Sequence, residues 1–468
     1  EHRYDSLGFE LERLLPGGVS QSFAYDNIGR LVNSKTRRSA EQRRSRHYNW
    51  GSADRLLSIE DDRYGLTQYS YSPSGELTMA TYADGTKEYR LSDKVGNLYN
   101  DPDKKLRKYL EGGRIEKSGE WTFKYDKDGQ LIEKFRGKSG FFSAKKDCWE
   151  YSWNQNGTLK GVFAPHRHGH WTRFTYDALG RRLTKLGDMT FHYLWNGNVP
   201  LHEWQTGNRY VGSVLTPYSE DFKTWLFEEE SFVPLALIQD GKAYSIVCDQ
   251  LGTPTEAYDE EGKEVWYRRL DMNGKILEET QPGLNPEGYV SIPFLFQGQY
   301  YDYETGLAYN RFRYYDPELG RYISEDPIRL EGGIAMHAYV EDVNAWVDIL
   351  GLSGTYIFTD GKISYIGKGP KKRMKASMTA RIGGTQNSIA SLHRDFGNDD
   401  IGFMVEYKLM EHYEARTSAS FANSSKIDSP GKKKYDNADG KTQKEVDRLA
   451  REMIQEFDEK KKKASCQK

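Results

Sequence analysis

The sequence predicts a mainly β protein built from a repeated hairpin and followed by a small α+β domain. Three observations predict this. Tyrosine and glycine are abundant, 33 and 45 of 468 residues; aromatic side chains favour strands, and glycine supplies the positive-φ positions of the turns between them. A short pattern of an aromatic residue, a polar turn, a glycine and a leucine recurs through the first half. Finally, composition and charge both change at Leu352.

The repeats come first in the chain. They read "YDSLGFEL", "YDNIGRLV", "YSPSGELT", "LSDKVGNL", "YDKDGQLI", "WNQNGTLK" and "YDALGRRL". Asp or Asn followed closely by Gly makes a hairpin turn, and flanks such as "QSFAYD" and "WTFKYD" alternate so that each strand has an apolar and a polar face. One hairpin cannot bury its apolar face alone, so stacked copies must share a continuous sheet. Residues 1–290 contain no Ser/His/Asp constellation or carboxylate pair that stands out, and they read as scaffold. The cysteines Cys148, Cys248 and Cys466 are far apart and odd in number, which suggests neither a disulfide framework nor a zinc cluster. No run of 18 apolar residues and no signal-peptide pattern occurs, so neither a membrane span nor a leader is expected. The chain opens within the pattern, and further repeats are expected upstream.

The tyrosine-aspartate repeats resemble those of the Rhs/YD-repeat proteins. The stretch "YSIVCDQLGTPTEAYDEEGKEVWYRRLDMNGKI" is similar to the segment before the end of the Rhs core, and residues 296–333, "FQGQYYDYETGLAYNRFRYYDPELGRYISEDPIRLEGG", resemble the core's end. The resemblance implies that residues 1–295 form the closing part of a hollow β-shell, or cocoon, around a C-terminal toxin. Residues 296–352 then carry the core's last motif and a self-cleaving segment.

Asp326 and Asp348 resemble the family's paired Asp-Pro-x-Gly motifs. That pair acts as an aspartyl protease, which implies autoproteolysis between Leu352 and Ser353. Arg329 stands where the first motif has glycine and Ile349 where the second has proline; Gly351 and Leu352 remain. Two close carboxylates cannot both ionise cheaply, so one keeps a proton to polarise the scissile carbonyl while the other activates water.

Beyond Leu352 the charge reverses. Residues 353–468 hold 23 Lys+Arg and 16 Asp+Glu, a net of +7; the whole chain is −2, leaving −9 for residues 1–352. A small basic domain on an acidic partner points to a polyanion such as nucleic acid. The alternative is that the lysines of "KKKYD" and "EKKKKASCQK" only solubilise. "GTYIF", the turn "TDGK" and "ISYIGKG" predict a hairpin, and "PKKRMKASMTARI" predicts a helix with Met374, Met378 and Ile382 on one face and a basic exposed side. At Gly354-Thr355-Tyr356 and Tyr365-Ile366-Gly367 the sequence resembles the GIY-YIG nucleases, with Thr355 in place of the usual isoleucine. The resemblance implies that Tyr356 orients or deprotonates the attacking water with Tyr365 beside it, and that Arg373 holds the phosphate. It also implies a divalent ion, Mg²⁺, on Glu406, with Glu411 and Glu414 as alternates, and Asn423 as the family's late asparagine. Lys368, Lys371, Lys372, Lys375 and Arg381 are the expected nucleic-acid contacts.

At the end of the chain, Val446, Leu449, Met453 and Phe457 predict an amphipathic helix that packs on this domain. The whole reads as a secreted Rhs effector whose cargo hydrolyses nucleic acid, with DNA favoured over RNA and the choice between them left open. Family membership further implies a cognate immunity protein, a delivery apparatus such as type VI secretion reached through a missing N-terminal region, and action in the target-cell cytoplasm. Two alternatives stay open. One is the same cage with another cargo, an ADP-ribosyltransferase or a deaminase, although the His/Cys and Cys-x-x-Cys zinc pattern of the latter is absent. The other is a structural or adhesion protein.

Overall fold

A computed structural model gives the architecture. It describes the chain apart from residues 40, 138–145, 168, 212–213, 230, 281–289, 328–334, 349–353, 360–363, 369–389, 396–398, 414–431, 433–434, 437 and 466–468. Among the described residues, strands from His2–Tyr4 to Lys87–Tyr89 form a nine-stranded sheet, and strands from Arg107–Tyr109 to Ile276–Glu279 a sixteen-stranded one. In both, every strand pairs antiparallel with the next in the chain.

The repeat pattern produces this meander through one turn used many times. At Asp26 the Gly29 N–H donates to the Asp26 carbonyl (3.0 Å) and the Asp26 N–H to the Arg30 carbonyl (2.9 Å). The Asp26 carboxylate accepts from the N–H groups of Ile28 (3.1 Å) and Arg30 (2.9 Å). Gly29 has φ +84°, and the strand register slips by one residue between Ala24 and Tyr25. This is a three-residue hairpin loop closed by a glycine bulge. The same bonding recurs at Asp126, Asp177, Asp249, Asp259 and Asp271.

The aromatic residue ahead of the turn ties one repeat to another. Trp50, Trp153 and Trp195 donate their Nε1–H to the carbonyls of Leu31 (2.7 Å), Leu131 (2.8 Å) and Arg182 (2.7 Å). Tyr71 and Tyr176 donate their Oη–H to the carbonyls of Leu56 (2.8 Å) and Leu159 (2.7 Å). The two sheets meet where the turn at Gly17 packs on that at Gly262, leaving neither room for a side chain. Beside that contact the buried Arg44 and Arg46 of the first sheet pair with Asp61 and with Glu256 of the second.

Inside lies the segment after residue 289. It forms a four-stranded sheet of short strands, Tyr300–Asp302, Leu307–Asn310, Arg313–Asp316 and Arg321–Tyr322. Its side chains share one core with the repeat wall: Phe294, Tyr300, Tyr309, Tyr314 and Ile323 pack with Phe174, Tyr193, Trp225 and Leu237. Ion pairs fix it further. The buried Arg182 meets Asp302 at 2.5 Å beneath the rings of Tyr193, Tyr300 and Tyr309, Lys185 reaches the same carboxylate at 3.1 Å, and Lys134 reaches Asp316 at 3.3 Å.

The remainder is a three-stranded antiparallel sheet with Gly354–Thr359 between Ser364–Lys368 and Ala390–Asp395, and two helices, Asp399–His412 and Gly440–Ser465. The first helix packs on the strands Gly354–Thr359 and Ser364–Lys368, the second on the first helix and on Ala390–Asp395. Met404, Val405 and Leu409 bury against Val446, Ala450, Met453 and Phe457. The helix expected from the Val446–Phe457 periodicity is present, and it continues through the lysine run to Ser465. Among the described residues, no helix is long and apolar enough to cross a membrane.

Candidate functional site

Asp326 and Asp348 are brought together at the end of the inner segment. The strand Arg313–Asp316 supplies Arg313, whose Nη2 lies 3.2 Å from Asp326 Oδ2 and 3.1 Å from Asp348 Oδ2. The returning segment closes the site. Tyr322 N–H donates to the His337 carbonyl (2.9 Å) and Asp326 N–H to the Met336 carbonyl (3.0 Å), so the stretch leading to Asp348 lies alongside Asp326. Arg313, Asp326 and Asp348 are only 3%, 2% and 4% exposed.

Asp348 is held on several sides. Tyr322 Oη donates to its Oδ2 (2.9 Å), Asn310 Nδ2 donates to its carbonyl (2.8 Å), and its own N–H donates to Tyr339 Oη (3.3 Å). Burial, and then the Asp348 charge, push both phenols far above the ordinary tyrosine range, so both stay protonated. Burial and the charge of Arg321 push His337 well below the ordinary histidine range, so it is neutral while its Nε2 meets the Gly129 carbonyl.

The charge count suits an acid-base pair. Counting the described residues alone, two carboxylates and one guanidinium carry a net charge of −1 if both carboxyls ionise, and burial favours neutrality. One proton on the pair, with Arg313 compensating the other carboxylate, meets that condition. It is also the state in which one carboxyl can donate and the other accept a proton. Sequence reasoning gave the two aspartates but missed Arg313, Tyr322, Asn310 and Tyr339. Arg313, Tyr322 and Asn310 lie in the quoted stretch 296–333 and Tyr339 just beyond it, yet nothing local in the sequence says that they converge.

The second predicted site is placed in part. Tyr356 pairs with Gly367 on one side and His393 on the other, and Tyr365 pairs with Phe358. Positions 356 and 365 are therefore diagonal neighbours on one face of the sheet, as strand alternation requires. Lys368 pairs with Thr355 at the strand end. Glu406 is buried on the helix that packs on both strands. Glu411 is exposed and engaged with Lys408 (2.6 Å) and Tyr407 (3.0 Å), of which Lys408 is the main cause holding its carboxyl below the usual range. Among the described residues no three His, Cys, Asp or Glu side chains cluster as a closed metal site. Mg²⁺ is commonly held by one or two carboxylates while keeping several of its waters, and Glu406 and Glu411 each supply one carboxylate on this helix. Arg373, Lys371, Lys372, Lys375, Arg381, Glu414, Asn423 and the Leu352–Ser353 bond lie outside the described residues.

Comparison with known proteins decides the family. The Teneurin YD-shell family model matches residues 17–344. The chain belongs to the Teneurin YD-shell family. Within this YD-shell group it is similar to a protein named double-stranded DNA deaminase toxin A of Burkholderia cenocepacia (strain H111), 33% identical over 384 residues, covering 77% of this chain and 26% of that protein. It is also similar to one named "Probable deoxyribonuclease RhsA" of Dickeya dadantii (strain 3937), 26% identical over 431 residues, covering 84% of this chain and 28% of the relative. A third, toxin protein Tse5 of Pseudomonas aeruginosa PAO1, is 26% identical over 378 residues, covering 67% and 27%. The YD-shell chain thus spans about a quarter of the length of these relatives. The Rhs/YD-repeat reading of the repeats is borne out, and the relatives carry names of DNA-acting or toxin proteins.

Proposed function

We propose that this chain is the C-terminal part of an Rhs effector that cuts itself after Leu352 and releases residues 353–468 as a toxin hydrolysing DNA phosphodiester bonds. The observation that carries the first half is the buried Asp326–Arg313–Asp348 cluster, set a few residues before the charge of the chain reverses. In the cut, the ionised carboxylate takes a proton from water as its oxygen bonds to the Leu352 carbonyl carbon. The protonated carboxyl gives its proton to the carbonyl oxygen. Collapse then breaks the C–N bond, and the amine of Ser353 leaves with a proton from the pair. Arg313 holds the two groups together and offsets the remaining charge.

For the released part, support comes from positions 356 and 365 sharing one sheet face and from the buried Glu406 on the helix packed against them. Tyr356 would orient the attacking water, Tyr365 would stand beside it, and Arg373 would bind the phosphate through its planar donors. Glu406 would hold Mg²⁺, which when bound neutralises phosphate charge. The DNA-related names of two relatives favour DNA over RNA. The deaminase chemistry of one name does not transfer with the shell, because Cys466 is the single cysteine after Leu352. A cognate immunity protein, a type VI or similar delivery apparatus and action in the target-cell cytoplasm complete the proposal.

Expression of the chain tests both halves. A fragment ending at Leu352, seen by intact mass and absent from Asp326→Asn and Asp348→Asn, is expected; equal cutting in either variant refutes the dyad. The cut protein is then incubated with plasmid and total RNA, with Mg²⁺ or EDTA. Plasmid loss that needs Mg²⁺ and falls at least a hundredfold in Tyr356→Phe is expected, and intact plasmid throughout refutes the nuclease.

A further inference from the structure

The self-cleavage reading needs one ionised and one protonated carboxyl and leaves open which of the two aspartates is the ionised one. The surroundings of Tyr322 answer this. Its ring lies over the Arg313 guanidinium, with Cζ 3.7 Å from the ring centre, so the cation cannot swing away from the two carboxylates. Its oxygen accepts from Asn310 Nδ2 (2.7 Å) and donates to Asp348 Oδ2 (2.9 Å). Because Asn310 is the donor in the first bond, the hydroxyl proton is directed to Asp348. Asn310 Nδ2 also donates to the Asp348 carbonyl (2.8 Å), so one amide fixes both ends of the contact. Asn310 and Tyr322 are 0% and 1% exposed, and the rings of Tyr315 and Tyr339 meet Tyr322 edge-on at 5.8 and 5.9 Å.

From this we infer that Tyr322, fixed by Asn310, is a positioning residue that holds Asp348 as the carboxylate of the self-cleaving pair. The inference rests on the self-cleavage reading and adds a residue to it. Among the described residues, the charged and titratable groups facing Asp348 are Arg313 and Asp326 through the shared guanidinium, Tyr322, and Tyr339 on the returning segment, where His337 stays neutral. Of these, Tyr322 combines a hydroxyl donor to the carboxylate with a hold on its cation. A carboxylate that loses such a donor keeps its proton more tightly, and a higher pH is then needed to ionise it.

The test is the pH dependence of cutting. The whole chain is diluted from guanidinium into buffers from pH 4 to 8, and appearance of the fragment is followed by mass. In Tyr322→Phe, which keeps the ring over Arg313, the acid limb of the rate should move up by about one pH unit, giving about tenfold slower cutting below the limb and near-normal cutting above it. Asn310→Ala should move the limb the same way by less. A wild-type limb in Tyr322→Phe overturns the inference, as does uniform slowing at every pH, which is what a merely structural role predicts. If the wild-type chain stays intact, or Asp348→Asn cuts normally, the self-cleavage reading falls and takes this one with it.

Discussion

The repeat wall and the segment it surrounds are both β-structure, yet they are held by opposite means. Along the wall each strand of a sheet pairs with its chain neighbour, the repeated turns are closed by their own aspartate and glycine, and the aromatic stitches span 13 to 22 residues. The inner segment has strands of two to four residues and draws its bonds from far away: Arg182–Asp302, Lys134–Asp316, Tyr300–Glu203, and Arg321 on the Gly113 carbonyl. A local repeat makes a wall that is indifferent to any one unit. A segment fixed by distant charges has a single position, and the Asp326–Arg313–Asp348 cluster sits on that segment.

The contrast predicts very unequal costs for removing an arginine. Arg182→Met strands the fully buried Asp302 with Lys185 alone, and breaking a buried pair this way costs about 3 kcal/mol. Arg30→Met removes a partly exposed partner of the Asp26 turn, and about 0.5 kcal/mol is expected. Urea midpoints at constant slope measure both. Similar losses in the two variants would erase the distinction. Arg182→Met should also expose residues 290–327 to protease before the repeats, since their anchor is what has gone.

This difference also sets what the sequence could reveal. The hairpins were legible because the Asp, the glycine and the alternating flank lie within eight residues, and the helix over Val446–Phe457 because its buried face repeats every three or four. The two aspartates were legible only through a family pattern. Arg313 stands 13 positions before Asp326 and Tyr322 stands 26 before Asp348, and no periodicity links such residues. The strand Ala390–Asp395 went unassigned because "ASLHRD" has weak alternation and no turn signal. It is made a strand by the Gly354–Thr359 edge beside it, a tertiary effect. The aromatic stitches were hidden for a similar reason: tyrosine and tryptophan announced strands, while the carbonyl each one meets belongs to another repeat.

Asp271 and Asp342 should weaken the fold as pH rises, whereas the turn aspartates Asp26 and Asp177 should weaken it as pH falls. Burial, and then the charge of Glu88, raise Asp271 to about 8, and burial raises Asp342 to about 6. Both folded-state values exceed the unfolded value near 4, so the folded chain binds more protons, and stability is highest below pH 4 for these groups and is lost as pH rises through 6 and then 8. The turn aspartates Asp26 and Asp177 run the other way. Each is lowered against its burial by bonds from the following arginine and backbone, so their contribution is present above pH 4 and lost as pH falls through the lowered value. Melting temperature measured at pH 5 and 8.5 should therefore fall at the higher pH, and Asp271→Asn should flatten that fall. A fall unchanged by Asp271→Asn would remove Asp271 as its cause.

Single hydrogen bonds give the sharpest test of how the wall is made. Trp153→Phe keeps an aromatic ring, smaller than the indole, and deletes the N–H that meets the Leu131 carbonyl, the lost bond alone costing about 1 kcal/mol. Trp50→Phe and Trp195→Phe delete the same bond elsewhere and should cost the same. Because the three stitches share no partner, their losses should add, giving about 3 kcal/mol in the triple variant. Additive urea midpoints would mean that each repeat is stabilised by its own contacts. A triple variant losing clearly more would mean that the stitches act through the shared inner segment, and the separation between wall and segment would have to be abandoned.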